Sequence, residues 1–474
     1  MLNPVYKAFD FIGQVCPNVY AIAKLTVKAA VRSRMLVIFL ILLGATVGLL
    51  PILIKHDGTA AMFTQVMITY TMVVLTTLLM GATIWMACGA ISREVSDCSL
   101  QILTTKPISR REIWFGKLLG LSMINSTFLV VVGLIIYLAL WWGAGRLPEA
   151  QQALLNEKLM VARGALTETP TDRTESVERI LNKRLNEEGV QDLDPRMVRK
   201  AIEDQFQMAD ELVPGNSRRR WDIDLGWRKD VLKDQPMFIR VKMQSADIDF
   251  DNPVYKVKWV IGDFESGKYR EFNVDMIHNS FRELKIPPNM WDDDGRLRVE
   301  VWNYSRATLR FPLTEPLEVL FPEGSFEANF GRALLVIFFW LIAVAAVGLA
   351  ASSYLTLPVA SFMTLTVLIV FMSGNLLETI VQERTIGEIT EEGELTTKAI
   401  DPLVVPIFEG VHKLVTMSQG VAPISRLSIG RSILLEEVIW AFAKKVIVIG
   451  GLMSLIGIFL FNRRELAAIP GNDS

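Results

Sequence analysis

The chain has 474 residues, 51% of them hydrophobic, and a mean hydropathy of +0.33, yet 21% are charged, so a wholly membrane-embedded chain is excluded and part of it must be soluble. A net charge of −2 gives no global reason to expect nucleic acid as a partner. The three cysteines, Cys16, Cys88 and Cys98, are odd in number and lack metal-ligand spacing, which excludes a disulfide framework for most of the chain.

In chain order, "PNVYAIAKLTVKAAVRSR" (17–34) reads as a helix with Pro17 in its first turn. Lys24, Lys28 and Arg32 recur every four residues and make one basic stripe on an otherwise apolar helix, the pattern of a helix lying at a membrane interface beside anionic lipid heads. Residues 35–54 carry no charge over 20 positions, about 30 Å of helix and enough for a first span. Residues 62–91 are uncharged for longer than a span needs and predict one tilted, projecting or Gly81-kinked span. A third span, 121–142, ends in Trp141 and Trp142, where an aromatic belt would sit.

Between the second and third spans, "SREVSDCSLQILTTKPISRREIWFGKLLG" (92–120) carries Arg93, Lys106, Arg110, Arg111 and Lys117. A short apolar helical piece with Leu100, Ile102 and Leu103 is closed by Pro107 and followed by a basic lead-in. Such a segment is too small for an enzyme and suits being gripped by a cytosolic partner.

The next 189 residues, 143–331, hold a soluble domain. From 149 to 212 the pattern is helical, with Asp194 as cap, Pro195 in the first turn, and Val198, Ile202, Phe206 and Ala209 on one face. From 237 to 321 the period becomes two: "FIRVKM", "YKVKWVI" and "RLRVEVW" alternate apolar and charged residues and predict a small antiparallel β-sandwich. Asp292 to Gly295 ("DDDG") lacks the remaining spacing of a calcium loop and reads as a hairpin turn; "NYS" at Asn303 is a sequon by pattern only.

Three more spans follow at 333–351, 359–377 and 446–461, within a membrane segment 332–461. Glu378 at the outer end of the fifth span, with Lys444 and Lys445 at the outer end of the sixth, could line an exit mouth; snorkelling at the interface is the simpler account. Six spans put both termini on one side. Residues 1–34, the 92–120 connector and the 462–474 tail carry twelve basic residues, whereas the outer loop 382–430 has four against seven acids, so the first set is cytosolic. The fold class expected is a six-span all-α membrane domain with an inserted extracytoplasmic α+β domain.

No G-x-x-x-x-G-K-[ST] occurs, so the chain has no P-loop with which to bind ATP, and His56, His278 and His412 are isolated, so neither cofactor nor metal is implied. The connector resembles the ABC-2-type permease family, the membrane subunits of ATP-binding-cassette exporters. Their cytosolic loop typically runs from an acid through Gly-Thr-Leu-Glu, an apolar pair, Pro and Ser-Arg to a Lys. Here the matching places are Glu94, Cys98-Ser99-Leu100-Gln101, Ile102-Leu103, Pro107, Ser109-Arg110 and Lys117, with Cys98 where Gly is usual and Gln101 where Glu is usual. The tail "FNRRELA" (461–467) is similar to the family's basic ending, and 17–34 looks like its N-terminal elbow helix. The branch that looks most similar is the one of multicopper-enzyme maturation and gliding motility.

The resemblance implies a coupling loop held by a cytosolic ATPase subunit, a second permease chain, identical or not, and a location in the bacterial inner membrane. Re-entrant helices between the fifth and sixth spans are also implied. The activity implied is ATP-driven export by a non-catalytic membrane subunit whose ectodomain could receive an extracytoplasmic protein or cargo. One alternative is a membrane complex that transmits force through the ectodomain and moves nothing across. A receptor is a third, disfavoured because no cytosolic segment is large enough for an output domain.

Overall fold

The computed structural model describes residues 16–53, 59–104, 107–169, 172–185, 195–245, 254–264, 266–373, 381, 401–418, 420 and 422–464. The chain divides into two compact units, Met1–Met160 with Ser325–Ser474, and Val161–Gly324.

The first unit is helical. α1 (Pro17–Val31) starts with proline, whose missing N–H costs nothing in a first turn. α2 (Arg34–Leu53) follows, then α3 (Met62–Ser96), α4 (Ser99–Thr104) and α5 (Arg110–Ala144). α6 (Glu149–Leu154) closes the N-terminal part. After the second unit come α9 (Phe326–Ser352), α10 (Leu357–Met372), α11 (Asp401–Ser418), α12 (Pro423–Ser428) and α13 (Leu435–Arg463). Four of these, α3, α5, α9 and α13, are long and apolar enough to cross a membrane; Val37–Thr46 within α2 and all of α10 are shorter apolar helices. The sequence reading of six spans is thus met by four among the described residues. α10 has 16 residues, about 24 Å against the roughly 30 Å of a hydrocarbon core, and the expected run to 377 continues beyond the described residues.

Irregularity in the long second span falls at a π-helical stretch, Gln65–Tyr70, whereas Gly81 lies in unbroken α-helix. Helix crossings rely on small residues: a Cβ on Gly116 or Gly120 of α5 would come within 2.7 Å of Ile22 or Thr26 of α1. That spacing of four lets two backbones approach, as small-xxx-small stripes do in membranes. The basic stripe of α1 points the other way, with Lys24, Lys28 and Arg32 exposed while Ile22 and Ala23 are buried.

The second unit pairs antiparallel strands in two sheets. One holds β1 (Val161–Thr167), β10 (Glu318–Ser325), β4 (Met237–Ser245), β9 (Leu309–Arg310) and β2 (Leu212–Val213), with β7 (Ser280–Ile286) paired to β4; the other runs β3 (Arg218–Asp224), β8 (Arg296–Asn303), β5 (Val254–Asp263), β6 (Lys268–Ile277). Alternate residues face inward, so Ile239, Val241 and Met243 share one core with Val257, Trp259, Ile261, Val299 and Val301. Trp221 stacks on Trp259 at 6.0 Å with Phe311 edge-on to both.

Two expectations need correction. The 149–212 stretch is not wholly helical: β1 and β2 lie inside it, beside α7 (Thr174–Leu185) and α8 (Pro195–Glu211). β1, "VARGALT", has glycine at 164 because the Phe321 ring occupies the space a Cβ there would need, and its β-branched residues stand only at its ends. The Asp292–Gly295 turn uses its glycine at φ +83° as anticipated, but it joins β7 to β8 in different sheets and so is not a hairpin. The Asn303 sequon is structural: the side chain is 1% exposed and its Nδ2 donates to the carbonyls of Val213, Pro214 and Ala307.

Candidate coupling site

The connector is mostly helix. α3 continues to Ser96, and α5 begins at Arg110 behind a capping box in which Ser109 Oγ accepts from the Glu112 N–H and Glu112 accepts from the Ser109 N–H at 2.7 Å. Only about a dozen residues therefore form the connector proper. Cys98 ends the α3 turn at φ +54°, with its N–H on the Val95 carbonyl. That left-handed conformation is the reason a glycine suits this position, and cysteine takes it at a cost of about 1 kcal/mol.

Glu94 and Lys117 meet in a salt bridge of 2.6 Å, with the lysine almost wholly buried and its Nζ also donating to the Ala90 carbonyl at 2.8 Å. Ser99 Oγ donates to the Glu94 carbonyl. Leu100 is 1% exposed and packs with Ile91, Ile113, Trp114 and Phe461. Its apolar character thus serves this chain's own core, so the residue that looked most like a gripping point is not on the surface. Gln101 and Pro107 are exposed; Ile102 and Leu103 lie in α4, and their side chains are outside the described set.

Arg110 does more than lead into a span. Its guanidinium donates to the carbonyls of Phe461, Asn462 and Arg464 at 2.6, 3.1 and 3.0 Å. Arg464 in turn donates to the carbonyls of Ser352 and Ser353, both at 3.2 Å. Helix C-termini leave orphan carbonyls with partial negative charge, so each arginine satisfies the end of a helix, α13 and α9 respectively. The loop motif and the tail motif that carried the resemblance are thereby clipped together. Sequence reasoning marked Arg463 and Arg464 only as charge; Asn18, whose Nδ2 donates to Glu112 at 2.9 Å, was missed.

The remaining expected residues lie elsewhere in the helical unit. Trp141 and Trp142 are 70% and 60% exposed, and the Arg146 guanidinium stacks 3.4 Å from the Trp142 ring centroid. Lys445 is not at a surface: it is 1% exposed, within the π-helical Ala443–Gly450, and its ammonium sits 4.9 Å from the Trp340 ring centroid. Snorkelling therefore does not describe it, whereas half-buried Lys444 borders an apolar cavity of about 290 Å³ with Phe371 and Leu452. Glu378 lies outside the described residues. Thr83 and Asn125, both buried, hydrogen-bond each other across α3 and α5 at 3.0 Å, a helix-packing bond. No group of three or more His, Cys, Asp or Glu able to hold a metal occurs among the described residues.

Residues 20–167 match a family model described as ABC-2 family transporter protein. The matched stretch takes in most of α1, the helices α2 to α5 with the connector, and ends with β1. It suggests a membrane subunit of an ABC transporter, in a family whose members are generally not themselves catalytic and generally work with a cytosolic ATPase subunit. With the apolar helices it also suggests a multi-pass membrane protein. No curated protein matches the chain. No solved structure matches it either.

Proposed function

We propose that this chain is the membrane-spanning permease subunit of an ABC-2-type exporter in a bacterial inner membrane. It has six spans, cytosolic termini and an extracytoplasmic unit within 143–331. A separate ATPase subunit grips the exposed side of the 97–109 connector, two permease chains and two ATPase chains form the working complex, and the basic face of α1 rests on anionic lipid heads. The observation that carries this reading is the clip of Arg110 onto the last helix and of Arg464 onto α9. A push on the connector is delivered at once to α3, α5, α9 and α13, which is what coupling by rigid-body movement of packed helices requires. Lys445 and Lys444 would stand near the outer end of the path.

A force-transmitting complex is the second reading, favoured by the Thr83–Asn125 bond, which engages two buried polar groups of the helical unit in packing rather than along a path.

Because Leu100 and Lys117 are core residues, the test uses exposed ones. Gln101→Arg with Arg111→Glu changes one exposed position on the connector and one on the first turn of α5. Co-purification of the tagged chain with P-loop ATPases of its own host, identified by mass spectrometry, should succeed for wild type and fail for the double variant at equal membrane levels. Failure of wild type to retain any ATPase would remove both readings.

A further inference from the structure

A cleft of about 820 Å³ opens within the second unit, between the α7/α8 helix pair and the sandwich. The helix pair has its own small core of Val177, Leu181, Val198 and Ile202, so the cleft lies where two packed bodies meet. Its walls combine Phe206 and Val177 from the helices with Trp221, Phe311 and Leu313 from the sandwich. Arg173, Arg218, Arg219 and Arg220 line this half-apolar space, and Arg219 has capacity to spare. The Arg219 guanidinium stacks 4.6 Å from the Trp221 ring centroid, its Nη2 stands 3.9 Å from a Glu168 carboxylate oxygen, and its Nη1 is buried with no hydrogen-bond partner among the described residues. The other close pair in the cleft, Arg173 with Asp210, is tight at 2.6 Å.

We infer that this cleft is a binding site for a small amphiphilic monoanion, a carboxylate or sulfonate with an aromatic or alkyl body, whose charged end takes the place of Glu168 on the Arg219 guanidinium and whose body lies on Trp221, Phe311 and Phe206. The volume falls within the range of small-molecule sites, which bury an apolar body and orient it by a few polar groups. A single negative charge matches the balance of the lining, in which Arg173, Arg218, Arg219 and Arg220 stand against Glu168, Glu203 and Asp210. Burial pushes the Glu168 carboxyl up and the Arg219 guanidinium down, so the resident pair is a poor one that a better-placed anion can replace.

The test uses the full chain in nanodiscs and 4-phenylbutyrate, with its neutral analogue 4-phenylbutanol, read by saturation-transfer NMR against empty nanodiscs. Wild type should bind the carboxylate saturably and at least tenfold more tightly than the alcohol. Arg219→Gln should erase that preference and leave the alcohol unchanged. Leu313→Trp, which fills the cleft without touching Arg219, should reduce both ligands, and hydrogen exchange of β3 and β8 should report that either variant is folded. Absence of saturable carboxylate binding to wild type, or a preference that survives Arg219→Gln, overturns the assignment.

Discussion

Buried cations are held in two different ways in the two units. In the helical unit, Arg110, Arg464 and Arg332 donate to backbone carbonyls, and Lys117 shares its ammonium between a carbonyl and Glu94. In the sandwich, Arg163 pairs with Glu283 and Arg298 with Asp263 and Asp292, while buried Glu211 is met by exposed Arg310. Helices end in carbonyls that nothing in the helix satisfies, so a guanidinium there fills a need already present. Strands in a ladder use their carbonyls on neighbouring strands, so a cation buried beside a sheet needs a carboxylate from another strand. Arg110 and Arg464 thus mark helix ends, Arg332 meets a loop carbonyl before the last helix, and in the helical unit Arg426 with Glu437 is the pair built as the sandwich builds its own.

The sharpest way to break this contrast is at Arg163, 1% exposed and bidentate to Glu283 at 3.0 and 3.3 Å. Arg163→Ala takes the bidentate guanidinium away from half-buried Glu283 and should cost about 3 kcal/mol. Faster amide exchange in β1, β7 and β10 would report it, and Arg163→Met with Glu283→Gln should recover most of the loss. Next comes Arg110→Ala, which should cost about 2 kcal/mol by freeing three carbonyls. Its signature is faster exchange confined to the last turn of α13, and equal loss in α1 and α3 would argue against the clip.

A smaller effect, of opposite sign, is expected at Cys98. Cys98→Gly should stabilise the α3–α4 junction by about 1 kcal/mol, seen as slower exchange at Val95 to Gln101, because glycine adopts φ +54° without strain. The least is at Glu168, whose carboxyl is held above its ordinary value chiefly by burial. A folded-state value above the unfolded one means that its contribution is fully present below the unfolded value and is lost as pH rises through the folded one. The difference in stability between wild type and Glu168→Gln should therefore shift in favour of Glu168→Gln between acid and neutral pH, and a flat difference would place the carboxyl in open solvent.

What could be read from the sequence follows the strength of its periodicity. β4, β5 and β8 alternate over long runs and were legible, as was the exposed stripe of α1, because charge and burial repeat with the backbone. β1 was not, since Ala162, Gly164 and Ala165 fill its middle, with the Phe321 ring where a side chain on Gly164 would go, and only its end residues Val161 and Thr167 are β-branched. Leu100 was legible as apolar but not as buried: one turn of helix cannot say whether its apolar side meets its own chain or another. Lys445 shows a different limit. A π-helical stretch shifts the helical register, so the 3.6-residue rule that assigns faces misplaces the residues within it.

The Asn303 carboxamide has a practical consequence for making this protein. Its sequon is inaccessible once the strands have closed, but under the extracytoplasmic placement proposed above an oligosaccharyltransferase in a eukaryotic secretory host acts on the chain as it emerges, before Asn303 has met β2. A sugar added to Nδ2 at that moment would take one of the two protons that reach three carbonyls and would set a bulky hydrophilic group where the fold allows 1% exposure. Expression in such a host should therefore yield an unglycosylated folded fraction and a glycosylated fraction that fails quality control, which makes a bacterial host the sensible source of material.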